Sequence, residues 1–253
     1  MPEKSAHKKS PQKTPTGLEP AYAELHAISN FTFLRGASFP EELIEQATSL
    51  GYQAIAITDE CSLAGVVRAH MAAKQRDIKL IIGSEFLLED GCKLVLLASN
   101  RKGYGELSHL ISCARQAAGK GEYRIDRVML EDNLPEDCLV LWVAEEKRSR
   151  SRPEGGKRGR LQLEKERNRA QPEGGTSRPQ REEERSRSQL QWLQTLFPAR
   201  LWIAVELLLR GNDRLKLRRL EKLGDKFGIP LCAAGGVYMH SAQRREVQDT
   251  LTA

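Results

Sequence analysis

The sequence predicts an α/β fold in which mostly parallel strands are covered by helices, and three observations carry that prediction. Apolar runs alternate with helical patterns six or seven times along the chain, the spacing of repeated β–α units. The strand-like runs are near-continuously apolar, as in Ile55-Ala56-Ile57 and Ile81-Ile82, which is expected of strands buried on both faces. Where three of these runs stop, a residue of ligand type stands: His26, Asp59 and Glu85. In barrels of alternating strands and helices, sites are built at that strand end. Periodicity by itself leaves a barrel and a doubly wound open sheet both available.

Taken in order, Tyr22 to Ile28 reads as a strand that brings His26 to its C-terminal end, followed by a turn over Leu34 to Ser38. Pro40 to Leu50 reads as a helix with proline in its first turn and Leu43, Ile44 and Ala47 on one face. Gly51 ends it. Gln53 to Thr58 is a short strand and Leu63 to Arg76 a second helix. Lys79 to Leu88 and Lys93 to Ala98 are strands joined by Glu89-Asp90-Gly91, a turn signal that predicts a hairpin. A helix over Arg101 to Ala118 and a strand over Cys138 to Val143 follow.

After a break the pattern resumes, with a helix over Gln189 to Phe197 and a strand over Leu201 to Leu208. A helix over Arg214 to Phe227 ends at Gly228, a strand covers Pro230 to Ala234, and a last helix opens at Ser241 as its cap. The break is residues 147–188, where Arg-Ser repeats and two Pro-Glu-Gly-Gly tracts leave Leu161, Leu163 and Ala170 as the apolar residues. So little apolar surface cannot offset the entropy of ordering, which predicts a disordered basic insertion. The expected organisation is a polar tail over 1–19, one domain over 20–146 and 189–253, and the insertion between.

The formal charge of +6 sits mostly outside the domain. Residues 147–188 carry a net +7 and residues 1–17 a net +3, so the remainder sums to about −4. A general basic face for nucleic acid is therefore not supported by charge. Both a nucleic-acid arm and a merely tolerated insertion stay open for 147–188. The five cysteines are scattered without a Cys-x-x-Cys pair, which argues for reduced thiols in a cytoplasmic protein and against a disulfide framework or zinc ribbon. No apolar run reaches the ~18–20 residues that span a membrane, and no phosphate loop or dinucleotide fingerprint is present.

The run from His26 to Gly65, the Gly83-Ser84-Glu85 step and the end of the chain resemble the PHP (polymerase and histidinol phosphatase) domain. The closest likeness is to the domain that opens the bacterial C-family DNA polymerases of the polymerase III alpha type. Ser29-Asn30-Phe31-Thr32-Phe33-Leu34-Arg35-Gly36-Ala37-Ser38 and Gln248-Asp249-Thr250-Leu251-Thr252-Ala253 are most similar to its error-prone, translesion branch. The resemblance implies a distorted seven-stranded (β/α) barrel, and so selects the barrel over the open sheet.

It also implies a strand-end site of histidines and carboxylates that, in active members, gathers two or three cations. His26 matches the first histidine of the opening His-x-His, with Ile28 where the second is expected. Asp59 matches the aspartate of Thr-Asp-His, with Glu60 in place of the histidine, and Glu85 matches the glutamate after the third strand. Lys93 stands where another histidine is usual, and Gly236-Val237-Tyr238 replaces Asp-x-His, with His240 nearby. The Leu207-Leu208 region, where a further histidine is often found, reads as wholly apolar.

The surviving donors are thus His26, Asp59 and Glu85, with Glu60 and His240 as candidate substitutes, enough for at most one weakly bound divalent cation. The residues have structural readings too: Asp59 as a cap for a helix beginning near Ser62, Glu85 paired with Lys93 or an arginine, His26 satisfied by backbone. The function the resemblance implies is that of a scaffold in an error-prone DNA polymerase, with a degenerate metal site. Its partners would be the polymerase core of the same chain, DNA through that core, and replication or translesion accessory proteins. The alternatives are a metal-dependent phosphoesterase or 3′–5′ exonuclease, and a truncated polymerase remnant without activity.

Overall fold

The computed structural model describes residues 21–144, 178–209 and 211–252. The strands are β1 (Ala23–Ala27), β2 (Ala54–Ile57), β3 (Lys79–Leu87), β4 (Lys93–Ala98), β5 (Cys138–Val143), β6 (Leu201–Val205) and β7 (Leu231–Ala233). They form one sheet in sequence order. The β1–β2–β3 and β5–β6–β7 neighbours are parallel, while β4 runs antiparallel to both β3 and β5. The reversal is the hairpin that Glu89-Asp90-Gly91 predicted, with Gly91 at φ +76°. The ends of the sheet approach each other: Ile28 N–H donates to the Val237 carbonyl at 2.9 Å, and Val237 N–H to the His26 carbonyl at 2.9 Å. The result is a nearly closed, mixed seven-stranded barrel.

The helices are α1 (Pro40–Ser49), α2 (Val66–Arg76), α3 (Arg101–Gln116), α4 (Arg127–Asp132), α5 (Arg178–Leu196), α6 (Asp213–Phe227) and α7 (Arg245–Thr252). Their apolar faces divide the outer core in two. Leu43, Ile44, Ala47, Ala69 and Ala73 of α1 and α2 pack with Ala27, Ile55 and Ile57. The larger cluster joins Leu107, Leu110, Leu190, Leu193, Leu220 and Leu223 to Leu94, Leu96, Val140, Trp142 and Ile203. The barrel interior is a third cluster, with Ala56, Val95, Leu97, Leu141, Val143, Ala204 and Ala234.

Several expectations are corrected. The helix before β6 begins at Arg178 rather than at residue 189, so residues 178–188 are not disordered. Local charge pairing supports this polar start: Arg187 bonds Glu183 one turn back, and Arg185 donates to the Gly91 carbonyl. The rest of the expected insertion, residues 147–177, and the expected tail over 1–19 lie outside the described residues. Ser241 makes no side-chain cap; a 3₁₀ turn over Ala242–Arg244 precedes α7. The strand expected to run to Leu208 ends at Val205, and the helix expected from Leu63 starts at Val66. Both shortenings leave residues free to build the rim of the barrel.

Candidate functional site

Alternation along each strand sends a set of polar residues inward above the apolar interior. On β4, Val95 and Leu97 belong to the interior cluster, so Lys93, two residues before Val95, faces the same way. Glu85 is directly opposite Val95, and so shares that face. In β1 the register slips between Glu24 and Ala27. Leu25 consequently joins the interior while Ala27 packs under α1 and α2, and the irregularity turns His26 toward the same centre. Glu206 follows β6 immediately. His26, Glu85, Lys93 and Glu206 are all buried.

These side chains form one network. His26 Nε2 lies 2.8 Å from Glu85 Oε2, and His26 Nδ1 lies 2.5 Å from Glu206 Oε1. Lys93 Nζ lies 2.8 Å from Glu85 Oε2. Arg35, from the loop after β1, reaches Glu85 Oε1 with Nη1 at 2.6 Å and Glu85 Oε2 with Nη2 at 3.4 Å, and also bonds Glu60. A carboxylate offers about four acceptor positions, and Glu85 receives four contacts from three side chains. Glu60 is further held by the Tyr123 hydroxyl at 2.9 Å.

Electrostatics follow the geometry. Burial disfavours charge on Glu85, but the Lys93 ammonium, the Arg35 guanidinium and His26 hold its carboxyl well below the usual range. Burial likewise opposes the imidazolium of His26, yet its bonds to Glu206 and Glu85 raise its pKa above 6.5. Both ring nitrogens face carboxylates, and an imidazole can donate from both only when protonated. Glu206 is lowered in turn, with burial outweighed chiefly by His26. Lys93 is raised, its burial more than offset by Glu85. His26, Arg35 and Lys93 thus balance Glu60, Glu85 and Glu206 charge for charge.

The other expected site residues are employed elsewhere. Asp59 accepts from the Ser29 N–H at 2.7 Å, the Ser29 hydroxyl at 2.8 Å and the Thr32 hydroxyl at 2.7 Å. It ties down the loop after β1 and does not cap α2, whose N-cap residue Gly65 has no side-chain bond. Burial pushes the Asp59 carboxyl up despite those donors. His240 Nδ1 lies 2.8 Å from the Ser38 hydroxyl and 3.7 Å from Glu42 Oε2. It joins the end of the chain to the start of α1 rather than joining the network. Of the structural readings, Glu85 pairs with both Lys93 and an arginine, while His26 is satisfied by carboxylates rather than by backbone. Among the described residues, no three His, Cys, Asp or Glu side chains are grouped to hold a metal ion.

Glu206 and Arg35 are the members that sequence reasoning missed. The run Leu201 to Leu208 is so apolar that it reads as one strand, with its single carboxylate inside it. The rule that found His26, Asp59 and Glu85, a polar residue where a strand stops, would have found it had the strand been ended at Val205. Gly235-Gly236, which looks like an ordinary turn signal, closes the network from above. Gly235 N–H donates to Glu24 at 2.7 Å. Gly236 adopts φ +58°, and a Cβ there would lie 2.9 Å from Glu206 Oε2.

A nearly closed α/β barrel with a polar centre at its strand ends defines the class. Residues 24–206 match the PHP domain family, and the chain belongs to it. It is similar to the error-prone DNA polymerase of Methylococcus capsulatus, 48% identical over 235 residues that make up 93% of this chain and 19% of that protein. The corresponding protein of Dechloromonas aromatica is 47% identical over 238 residues, 92% of this chain and 20% of that one. The chain therefore spans about a fifth of the length of the curated relatives it matches. A solved structure from Bifidobacterium adolescentis, described as a metal-dependent phosphoesterase, superposes with a TM-score of 0.53 at 13% identity, covering 92% of this chain and 98% of that one. That likeness is one of fold. Among the described residues, no helix is long and apolar enough to cross a membrane.

Proposed function

We propose that this chain is the PHP domain of an error-prone DNA polymerase, that its barrel serves as a scaffold for the polymerase core, and that its strand-end site is an ion-pair centre rather than a metal centre. The observation that carries the reading is the saturation of Glu85 by His26, Arg35 and Lys93. A divalent cation needs a neutral imidazole with a free lone pair and carboxylate oxygens open to it. His26 has both nitrogens committed to carboxylates, and two protein cations already neutralise Glu85. The residues present do not fit a resident metal. On this reading DNA, the incoming nucleotides and the accessory proteins of translesion synthesis are met by the polymerase core and not by this site.

The test is metal analysis of the purified chain together with a phosphodiesterase assay in manganese, zinc and magnesium. Substoichiometric metal and no hydrolysis are expected. Two or more tightly held metals per chain, with hydrolysis lost in His26→Ala, would restore the phosphoesterase or exonuclease reading.

A further inference from the structure

The outer face of α1 and α2 looks unfinished. Exposed apolar residues are ordinary when scattered, but here they are joined. Val67 and Met71, one turn apart on α2, are 72% and 55% exposed. They line a groove of about 330 Å³ against α1, whose walls are Glu41, Glu45, Arg68 and Arg76. Arg68 then carries the surface onward, lying 6.0 Å from the centre of the Phe31 ring and 5.0 Å from that of Phe39. Phe33, on the same loop as Phe31, is 82% exposed. That loop is not slack, because Asp59 holds it at Ser29 and Thr32. Aromatic residues, methionine and arginine are the types enriched where proteins meet.

A second observation falls on the same side of the molecule. The helix α7 pairs Val247 with Leu251 one turn on, yet none of its residues is buried. The 3₁₀ turn before it is attached to α1 by Arg244, which bonds Glu42, while His240 bonds Ser38 just ahead of α1. Val247 is 41% exposed, so the apolar side of this amphipathic helix is only partly covered.

We infer that the α1–α2 groove, with Phe33 and Phe39 beside it and α7 at its edge, is the surface on which the body of an error-prone polymerase packs. This rests on the polymerase reading above. The occupant follows from length: relatives 47–48% identical to this chain are about five times as long. The groove's two Glu–Arg pairs, Glu41 with Arg68 and Glu45 with Arg76, leave its rim nearly neutral. A partner segment with apolar side chains at helical spacing and a polar flank fits it better than a polyanion does.

Hydroxyl-radical footprinting of Met71 tests this in two forms of the protein. One is the chain alone, with its mass in solution measured by light scattering. The other is the Methylococcus capsulatus polymerase with this chain in place of its matching fifth. The inference expects a monomeric chain in which Met71 oxidises readily, and several-fold slower oxidation in the long form while that form extends primers. Val67→Asp combined with Met71→Asp should leave the melting of the isolated chain unchanged and lower that of the long form. Equal oxidation of Met71 in both forms, with primer extension intact, would overturn the surface and leave the polymerase reading standing. A self-associated chain with Met71 already protected would assign the groove to a second copy and also overturn it. A long form that folds cooperatively but cannot extend primers would bring down the polymerase reading, and the inference with it.

Discussion

His26 Nδ1 lies 2.5 Å from a carboxylate oxygen of Glu206, a residue 180 positions further along the chain. The contact joins the end of the first strand to the end of the sixth across the mouth of the barrel, and it fixes the imidazole as a donor. Its other nitrogen is 2.8 Å from Glu85, so one histidine draws together carboxylates from β3 and the end of β6. With Arg35 and Lys93 added, the network clamps the strand ends around a nearly neutral centre.

Breaking one ion pair of that centre should be costly. Removing a single partner from a buried pair leaves an uncompensated charge, which costs about 3–5 kcal/mol. Lys93→Met is expected to destabilise by that order in urea unfolding at neutral pH, because Lys93 is the largest influence lowering the Glu85 carboxyl against its burial. Adding Glu85→Gln to Lys93→Met should cost less than the two single changes together, since each removes the charge the other compensates. Strict additivity would mean the two side chains are not coupled.

Stability should pass through a maximum in mildly acidic solution. The raised pKa of His26 contributes stability that is complete below 6.5 and lost as pH rises through its folded value. The lowered Glu85 and Glu206 contribute stability present above 4.5 and lost as pH falls through their folded values. Asp59, raised from 3.8, acts with the opposite sign and takes stability away as pH rises through that region. The maximum is therefore expected between about pH 4.5 and 6.5, where the imidazolium and both lowered carboxylates are charged. In His26→Gln the decline on the alkaline side should flatten; an unchanged alkaline slope in thermal melts would show that His26 is not the group responsible.

Gly236→Ala tests the closure from above. The residue sits at φ +58°, where a Cβ would also stand 2.9 Å from Glu206 Oε2. Left-handed backbone costs an L-residue about 1–2 kcal/mol, and the contact adds to that. Gly228→Ala supplies the control: at φ +63° it has the same backbone demand but nothing within 4 Å of the added carbon. A larger loss of melting temperature at Gly236 than at Gly228 is the expected result, and equal losses would remove the role assigned to the Glu206 contact.

The polymerase reading makes its own demand on the native gene product. An antibody against this domain should detect in cell lysate a band several times the 28.4 kDa of the chain. A band near 28.4 kDa would leave the scaffold without a body to support.

Much of the barrel was legible in the sequence because it depends on local pattern. The apolar runs of β2, β4 and β5, the proline that opens α1 and the Glu89-Asp90-Gly91 turn each act over a few residues, and together they fixed the order of strands and helices. The strand-end rule likewise named His26, Asp59 and Glu85. It could not say what they touch. Residue type alone lets Asp59 cap a helix, whereas in the fold it accepts from Ser29 and Thr32, and Glu206 lies hidden inside an apolar run. His240 and Glu60 looked like substitutes for missing ligands, but Ser38 and Arg35 claim them. Those outcomes depend on a register slip in β1, on Arg35 reaching back over the barrel mouth, and on contacts between residues up to 202 positions apart. Residue type and spacing determine which groups arrive at the rim. Only closure of the barrel decides which charges meet, because a buried charge takes whichever partner lies within hydrogen-bonding distance, and that distance is set by the whole fold.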